Sequence, residues 1–214
     1  MYSDILEWQF TEPIKRLKEY YLKSDSDYYT QLYNRLTYTE KQQLSQTSEN
    51  DQVILEYIKC RPKCFVVTLW PFAVAYLEAI IAYLQLEGNV YYTKKVSLTY
   101  NGVRNMMYTM YDEFTRTDNF IEEKLKYIGL NTSQNDLNEI IFIIFDNINS
   151  HKVSGQGSSF KRELRDYILK LIQHDRKVDN LRGNDVVHIN DYFYQTVEYS
   201  QTIFNHNTLQ LLNI

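Results

Sequence analysis

The sequence predicts an α/β protein: a helical N-terminal region, residues 1–60, packed on a three-layer-type α/β domain, residues 61–214, with a short, mainly parallel or mixed sheet. Three observations carry that expectation. After residue 61, four short apolar runs rich in β-branched residues alternate with helical patterns. The first two runs and the helix between them span about 36 residues, the size of a crossover unit joining parallel strands. The N-terminal region shows helical spacing and no such run.

In chain order, Thr11 followed by Glu12-Pro13 supplies an N-cap and an early-turn proline. Ile14, Leu17, Tyr20 and Tyr21 then recur at helical spacing. Ser24 or Asp25 can cap a second helix carrying Tyr28, Leu32 and Leu36. The polar stretch 37–51 ends as a loop, and Val53, Ile54, Tyr57 and Ile58 form another helical face. Cys64–Trp70 is continuously apolar, as a buried strand requires. Pro71 can open a helix with Val74, Leu77, Ile80, Ile81 and Leu84 on one face and Gly88 at its end. Val90–Thr99 alternates imperfectly and reads as a strand, and Asn101-Gly102 as a turn. Val103, Met106, Met107, Met110 and Phe114 mark a helix, and 120–128 marks a shorter one that Gly129 stops. Ile140–Phe145 is the most apolar run of all. A loop with Gly155 and Gly157 leads into a helix whose face is Phe160, Leu164, Tyr167, Ile168, Leu171 and Ile172. Val186–Ile189 is a short strand, after which Asn190 or Asp191 can cap the helix 192–204.

Composition narrows the classes. At 214 residues the chain is one large domain or two small ones. Hydrophobic residues at 44% exclude a disordered chain, and 6 Gly with 3 Pro exclude collagen-like and low-complexity ones. No apolar run reaches about 18 residues, so no transmembrane helix is expected. The acidic start at Asp4 and Glu7 lacks the basic opening of a secretory signal, so a cytoplasmic location is expected. A net charge of −4 argues against a dedicated nucleic-acid binder. Cys60 and Cys64, around Arg61-Pro62-Lys63, are too few for a disulfide framework or a structural zinc site, and read as two reduced thiols. Twenty tyrosines, with abundant Asn, Ile and Lys, fit an AT-rich genome.

Two segments carry candidate chemistry. In the first, a buried strand ends near Asp146, a glycine-bearing loop follows, and a helix opens with Lys161, Arg162 and Arg165. A helix N-terminus offers unpaired N–H groups, and Gly155 and Gly157 let backbone approach an anion closely. Backbone from Gly155 through Ser159, with Ser158 and with Lys161 and Arg165 one turn apart, is therefore the expected phosphate-binding set. The spacing is neither a Walker loop nor a dinucleotide fingerprint. In the second, His188 and Asn190 project from one face of a strand that leads to Asp191. His188 is the expected general acid/base, since its ordinary pKa lies near neutrality, with Asp191 orienting it or binding a metal. Against these stand plainer readings: a solvated basic helix end, an N-capping Asp191 and an interior His188. Lys94, Lys95, Asn101, Arg104 and Asn105 form a lesser cluster; His151, His174 and His206 lack partners at metal spacing.

Leu69-Trp-Pro-Phe-Ala73 with 88–94 and Asn101-Gly102, then Phe160-Lys161, Arg165, 185–191, Thr196 and 204–207, resemble a family found in large DNA viruses of the mimivirus kind and in protists. The resemblance covers about Lys63–Leu212 and implies a nucleotidyltransferase-like or glycan-synthesis role. The chain departs from a nucleotidyltransferase in lacking Gly-Ser followed by paired aspartates. The leading expectation is an intracellular domain that binds a phosphate-bearing small molecule, a nucleotide or nucleotide sugar, as a transferase would, with Mg²⁺ or Mn²⁺ as the suited metal. The alternative is a non-catalytic interaction module of a viral or protist protein, its Tyr-rich helices packed on a partner. A nucleic-acid reading would rest on Lys161, Arg162, Arg165, Arg176, Lys177 and Arg182.

Overall fold

The computed structural model describes residues 58, 64–111, 118–133, 136–147, 153, 155, 158–175 and 180–204. Their elements are β1 (Cys64–Leu69), α1 (Pro71–Val74), α2 (Leu77–Glu87), β2 (Gly88–Leu98), α3 (Tyr100–Met110), α4 (Asp118–Tyr127), β3 (Asn138–Asn147), α5 (Ser159–Asp175), α6 (Gly183–Val186), β4 (Val187–Ile189) and α7 (Phe193–Ile203). The expected helices of residues 1–60 lie outside the described residues, apart from Ile58, which is helical and buried.

The four strands form one sheet in the order β2-β3-β1-β4. All three ladders are antiparallel. The expected parallel or mixed sheet is therefore wrong, and the reason is physical. Continuous apolar strands report burial on both faces, which parallel sheets usually have but do not monopolise. Here α2 and α5 cover one face through Ile80, Leu84, Phe160, Leu164, Ile168 and Ile172, against Phe65, Val67, Leu69, Ile141, Ile143 and Phe145. The other face carries α3, α4 and α7, through Met106, Met107, Ile121, Leu125, Val197 and Ile203 against Val66, Ile140, Phe142 and Ile144. Both crossovers do join strands that run the same way, but each skips a position. β3 lies between β1 and β2, and β1 lies between β3 and β4, the split β-α-β arrangement.

Each edge strand is blunted in its own way. β2 carries Lys94 and Lys95 and a bulge between Val90 and Tyr92. At its start Gly88 runs against β3 so closely that a Cβ there would overlap the Asp146 carbonyl oxygen. β4 is only three residues long and pairs with Val67–Leu69, leaving the front half of β1 without a strand on that side among the described residues. Side chains complete the ladder. The Val66 N–H donates to Asn190 Oδ1 at 2.7 Å. Asn190 Nδ2 donates to the Tyr192 carbonyl at 2.8 Å and to Thr196 Oγ1 at 2.6 Å. Thr196 in turn donates to the Cys64 carbonyl at 2.8 Å. Neither Asn190 nor Asp191 caps α7: Gln195 Oε1 accepts from the N–H groups of Asp191 and Tyr192 at 2.7 and 3.0 Å.

A buried donor or acceptor stripped of its partner costs about 1–3 kcal/mol. Asn190→Ala strands the Val66 N–H and removes the bonds from Asn190 to Tyr192 and Thr196, and is expected to destabilise the fold by about 2–4 kcal/mol in urea denaturation.

Candidate functional site

A cavity of about 290 Å³ opens beside β4 and is lined from four directions. Lys124 enters from α4, Arg165 from α5, Tyr111 from the end of α3, and His188 and Asp191 from β4 and the turn after it. β3 and β4 run the same way, so the chain after β3 and the chain after β4 leave one end of the sheet together. That brings the glycine loop and α5 to the His188–Asp191 turn: the Gly155 N–H donates to the Asp191 carbonyl at 2.9 Å.

The expected phosphate set divides. Lys161 is 1% exposed and its ammonium pairs with the Asp191 carboxylate. Burial pushes the Lys161 pKa down, while the bond to Asp191 opposes that. Ser158 accepts from the Lys161 N–H through its hydroxyl at 3.2 Å and so serves the start of α5. Gly155 sits at φ 89°, a left-handed conformation that suits glycine. Gly157 lies outside the described residues. Arg165 reaches the cavity wall and makes no ion pair among the described residues. Its path runs across Gly183, where a Cβ would stand 2.6 Å from Arg165 Cβ and 3.0 Å from its Cδ.

Lys124, Tyr111, Asn184, Gln195, Phe120 and Tyr199 complete the wall, and sequence reasoning missed them. Lys124 left a readable signal. It lies in register with Ile121, Leu125 and Ile128, on the apolar stripe of α4, where an ammonium has no bland reason to be. It is 7% exposed, donates to the Asn184 carbonyl at 2.7 Å, and stands 5.7 and 5.8 Å from the Trp70 and Tyr111 ring centroids. Tyr111, also buried, meets the His188 ring edge-on at 5.1 Å.

The electrostatics are cationic. Burial pushes Lys124 down to about 8; Asp185 opposes, and Arg165 and Arg182 add to the shift. Burial, then Lys124, Lys161 and Arg165, hold His188 well below its ordinary 6.5, so it is neutral at pH 7. Burial pushes the Tyr111 hydroxyl up and keeps it protonated. The wall therefore offers an ammonium, a guanidinium, a neutral imidazole and a phenol, with the Asp191 carboxylate paired to Lys161 and its charge also felt by Arg165.

The lesser cluster does not reach the cavity wall. Lys95 pairs with Glu139 at 2.5 Å and Arg104 with Glu122 at 2.5 Å, ties that serve the sheet and the α3–α4 contact. His174 is exposed beside Asp175 at 2.8 Å. Cys60, His151, Arg176, Lys177 and His206 lie outside the described residues. No group of three or more His, Cys, Asp or Glu stands together among the described residues to hold a metal, and no helix among them is long and apolar enough to cross a membrane. No family model, curated protein or solved structure matches the chain.

The sign of the Lys124 shift gives a stability prediction. Between about 8 and 10.5 the unfolded chain still holds the proton that folded Lys124 has released, so stability rises with pH across that window. Lys124→Met is expected to flatten this rise and to raise the denaturation midpoint at neutral pH, where the wild type buries a charge. Denaturant midpoints measured across the window check both.

Proposed function

We propose that the cavity beside β4 binds a phosphate-bearing small molecule. The observation that carries the reading is two cations, Lys124 and Arg165, converging on one concave wall whose single carboxylate is already neutralised by Lys161. A planar guanidinium grips two oxygens of a phosphate at once, and an ammonium adds a point charge. A volume of about 290 Å³ suits a compact ligand. In this reading Arg165 and Lys124 hold the phosphate. Lys161 positions Asp191, which itself shapes the wall. His188, neutral at pH 7, can hydrogen-bond a ligand hydroxyl, and the burial and cations that keep it neutral also weaken it as the base that a transferase acting on a nucleotide or nucleotide sugar would need.

A thermal-shift panel of inorganic phosphate, pyrophosphate, nucleotides and nucleotide sugars, with and without Mg²⁺ or Mn²⁺, tests it. A ligand at about 100 times its Kd stabilises the fold by about 2.7 kcal/mol. Arg165→Gln is expected to weaken binding tenfold or more, about 1.4 kcal/mol. An unchanged shift in that variant, or a flat panel, removes the reading and leaves an interaction module as the better one. Gly183→Ala should also weaken binding, by displacing the Arg165 side chain; titration calorimetry of the variant checks this.

A further inference from the structure

Most buried polar side chains elsewhere among the described residues are hydrogen-bonded: Asn138, Asp185, Asn190, Gln195 and Thr196 each have defined partners. One region differs. Thr68 Oγ1, Trp70 Nε1, Tyr111 OH, His188 Nε2 and Ser200 Oγ are shut off from solvent and have no hydrogen-bond partner among the described residues. They gather behind the cavity. Thr68 and His188 face each other across the β1–β4 ladder, and His188 meets Tyr111 edge-on. Trp70 lies under the Lys124 ammonium, and Ser200 sits on the buried side of α7, the helix laid over β1. Tyr111 and His188 belong to the cavity wall itself.

Buried polar groups in a native fold are hydrogen-bonded, so a cluster of orphans marks a place where a guest supplies the partners. The same layer is otherwise Met, Ile, Leu and Phe, so apolar packing is available to it and is not what these positions use. The chemistry of the orphans defines the guest. Three are hydroxyls, each able to donate and accept; the imidazole Nε2 does one or the other according to tautomer, and the indole only donates. Phosphate and carboxylate oxygens accept only, whereas a ligand hydroxyl does both and matches the set.

We propose that the ligand is a phosphorylated sugar or related polyol, its phosphate on Lys124 and Arg165 and its hydroxyls directed to His188 and Tyr111 on the wall, with Thr68 behind them across the ladder. This rests on the anion-site reading above and adds the organic half of the ligand.

The test compares three probes by calorimetry: inorganic phosphate, ribose 5-phosphate and phenyl phosphate, the last being a phosphate ester without hydroxyls. Ribose 5-phosphate should bind at least tenfold more tightly than phenyl phosphate. Tyr111→Phe and Thr68→Val each remove one orphan hydroxyl while keeping shape. Neither loses a hydrogen bond made among the described residues, so both should fold with an unchanged or higher Tm. Each should cut the preference for ribose 5-phosphate by threefold or more and leave affinity for inorganic phosphate unchanged. Equal binding of the two esters, or a preference that survives both substitutions, overturns the sugar-phosphate inference alone. Failure of all three probes to bind removes the anion site, and this inference with it.

Discussion

The arrangement depends on one side chain standing in for a strand. β4 runs only from Val187 to Ile189, and beyond it Asn190 takes over the edge of β1 by accepting from Val66 and donating to Thr196 and Tyr192. A carboxamide does both jobs because it carries an acceptor and two donors on one rigid plane. An aspartate would keep the acceptor and lose the donors. By ending the ladder this way the chain turns away from the sheet at Asp191, with the start of α7 fixed by Gln195 rather than by a side chain of the turn itself. Asp191 is then released from capping and faces Lys161.

That ion pair ties the crossover between β3 and β4 to the chain after β4. α5 follows β3 and lies on one face of the sheet; α7 follows β4 and lies on the other. Lys161 and Asp191 meet around the β4 edge, and the Gly155–Asp191 backbone bond reinforces the meeting. A buried pair of this kind contributes little net stability, because desolvation offsets attraction, but breaking it by removing one partner is expensive. Its effect here is geometric: it fixes which way α5 presents Arg165, one turn further along.

Much of this was legible in the sequence, and the parts that were not have definite causes. The strand positions follow from β-branched apolar runs; the glycine loop meets the His188–Asp191 turn because β3 and β4 share a direction without being neighbours, not because the sheet is parallel. Strand direction is not encoded in those runs, since burial on both faces gives the same pattern whichever way a neighbour points. Cys64–Leu69 faces two antiparallel neighbours, yet reads like a parallel strand. The roles of Lys161 and Asn190 were hidden because burial and partner choice are set by distant chain: Asn190 bonds to Val66, 124 residues away. Lys124 was the readable signal left unread, a charge in register with Ile121 and Leu125. Tyr111 gave none, being one tyrosine among twenty.

The interleaved strand order bears on how the chain reaches this structure. No two neighbouring strands of the sheet are joined by a hairpin; even Leu98 and Asn138, at the closest end of the β2–β3 ladder, are 40 residues apart. β3 must enter between β1 and β2 after both have been synthesised, and β4 seals the last edge from near the end of the described chain. Every ladder therefore closes a long loop before any contact rewards it, which places this domain among slowly folding topologies, with the helices forming ahead of the sheet. Until β4 and Asn190 arrive, β1 is an uncovered apolar edge, so the vulnerable moment for this protein is its synthesis rather than its folded life.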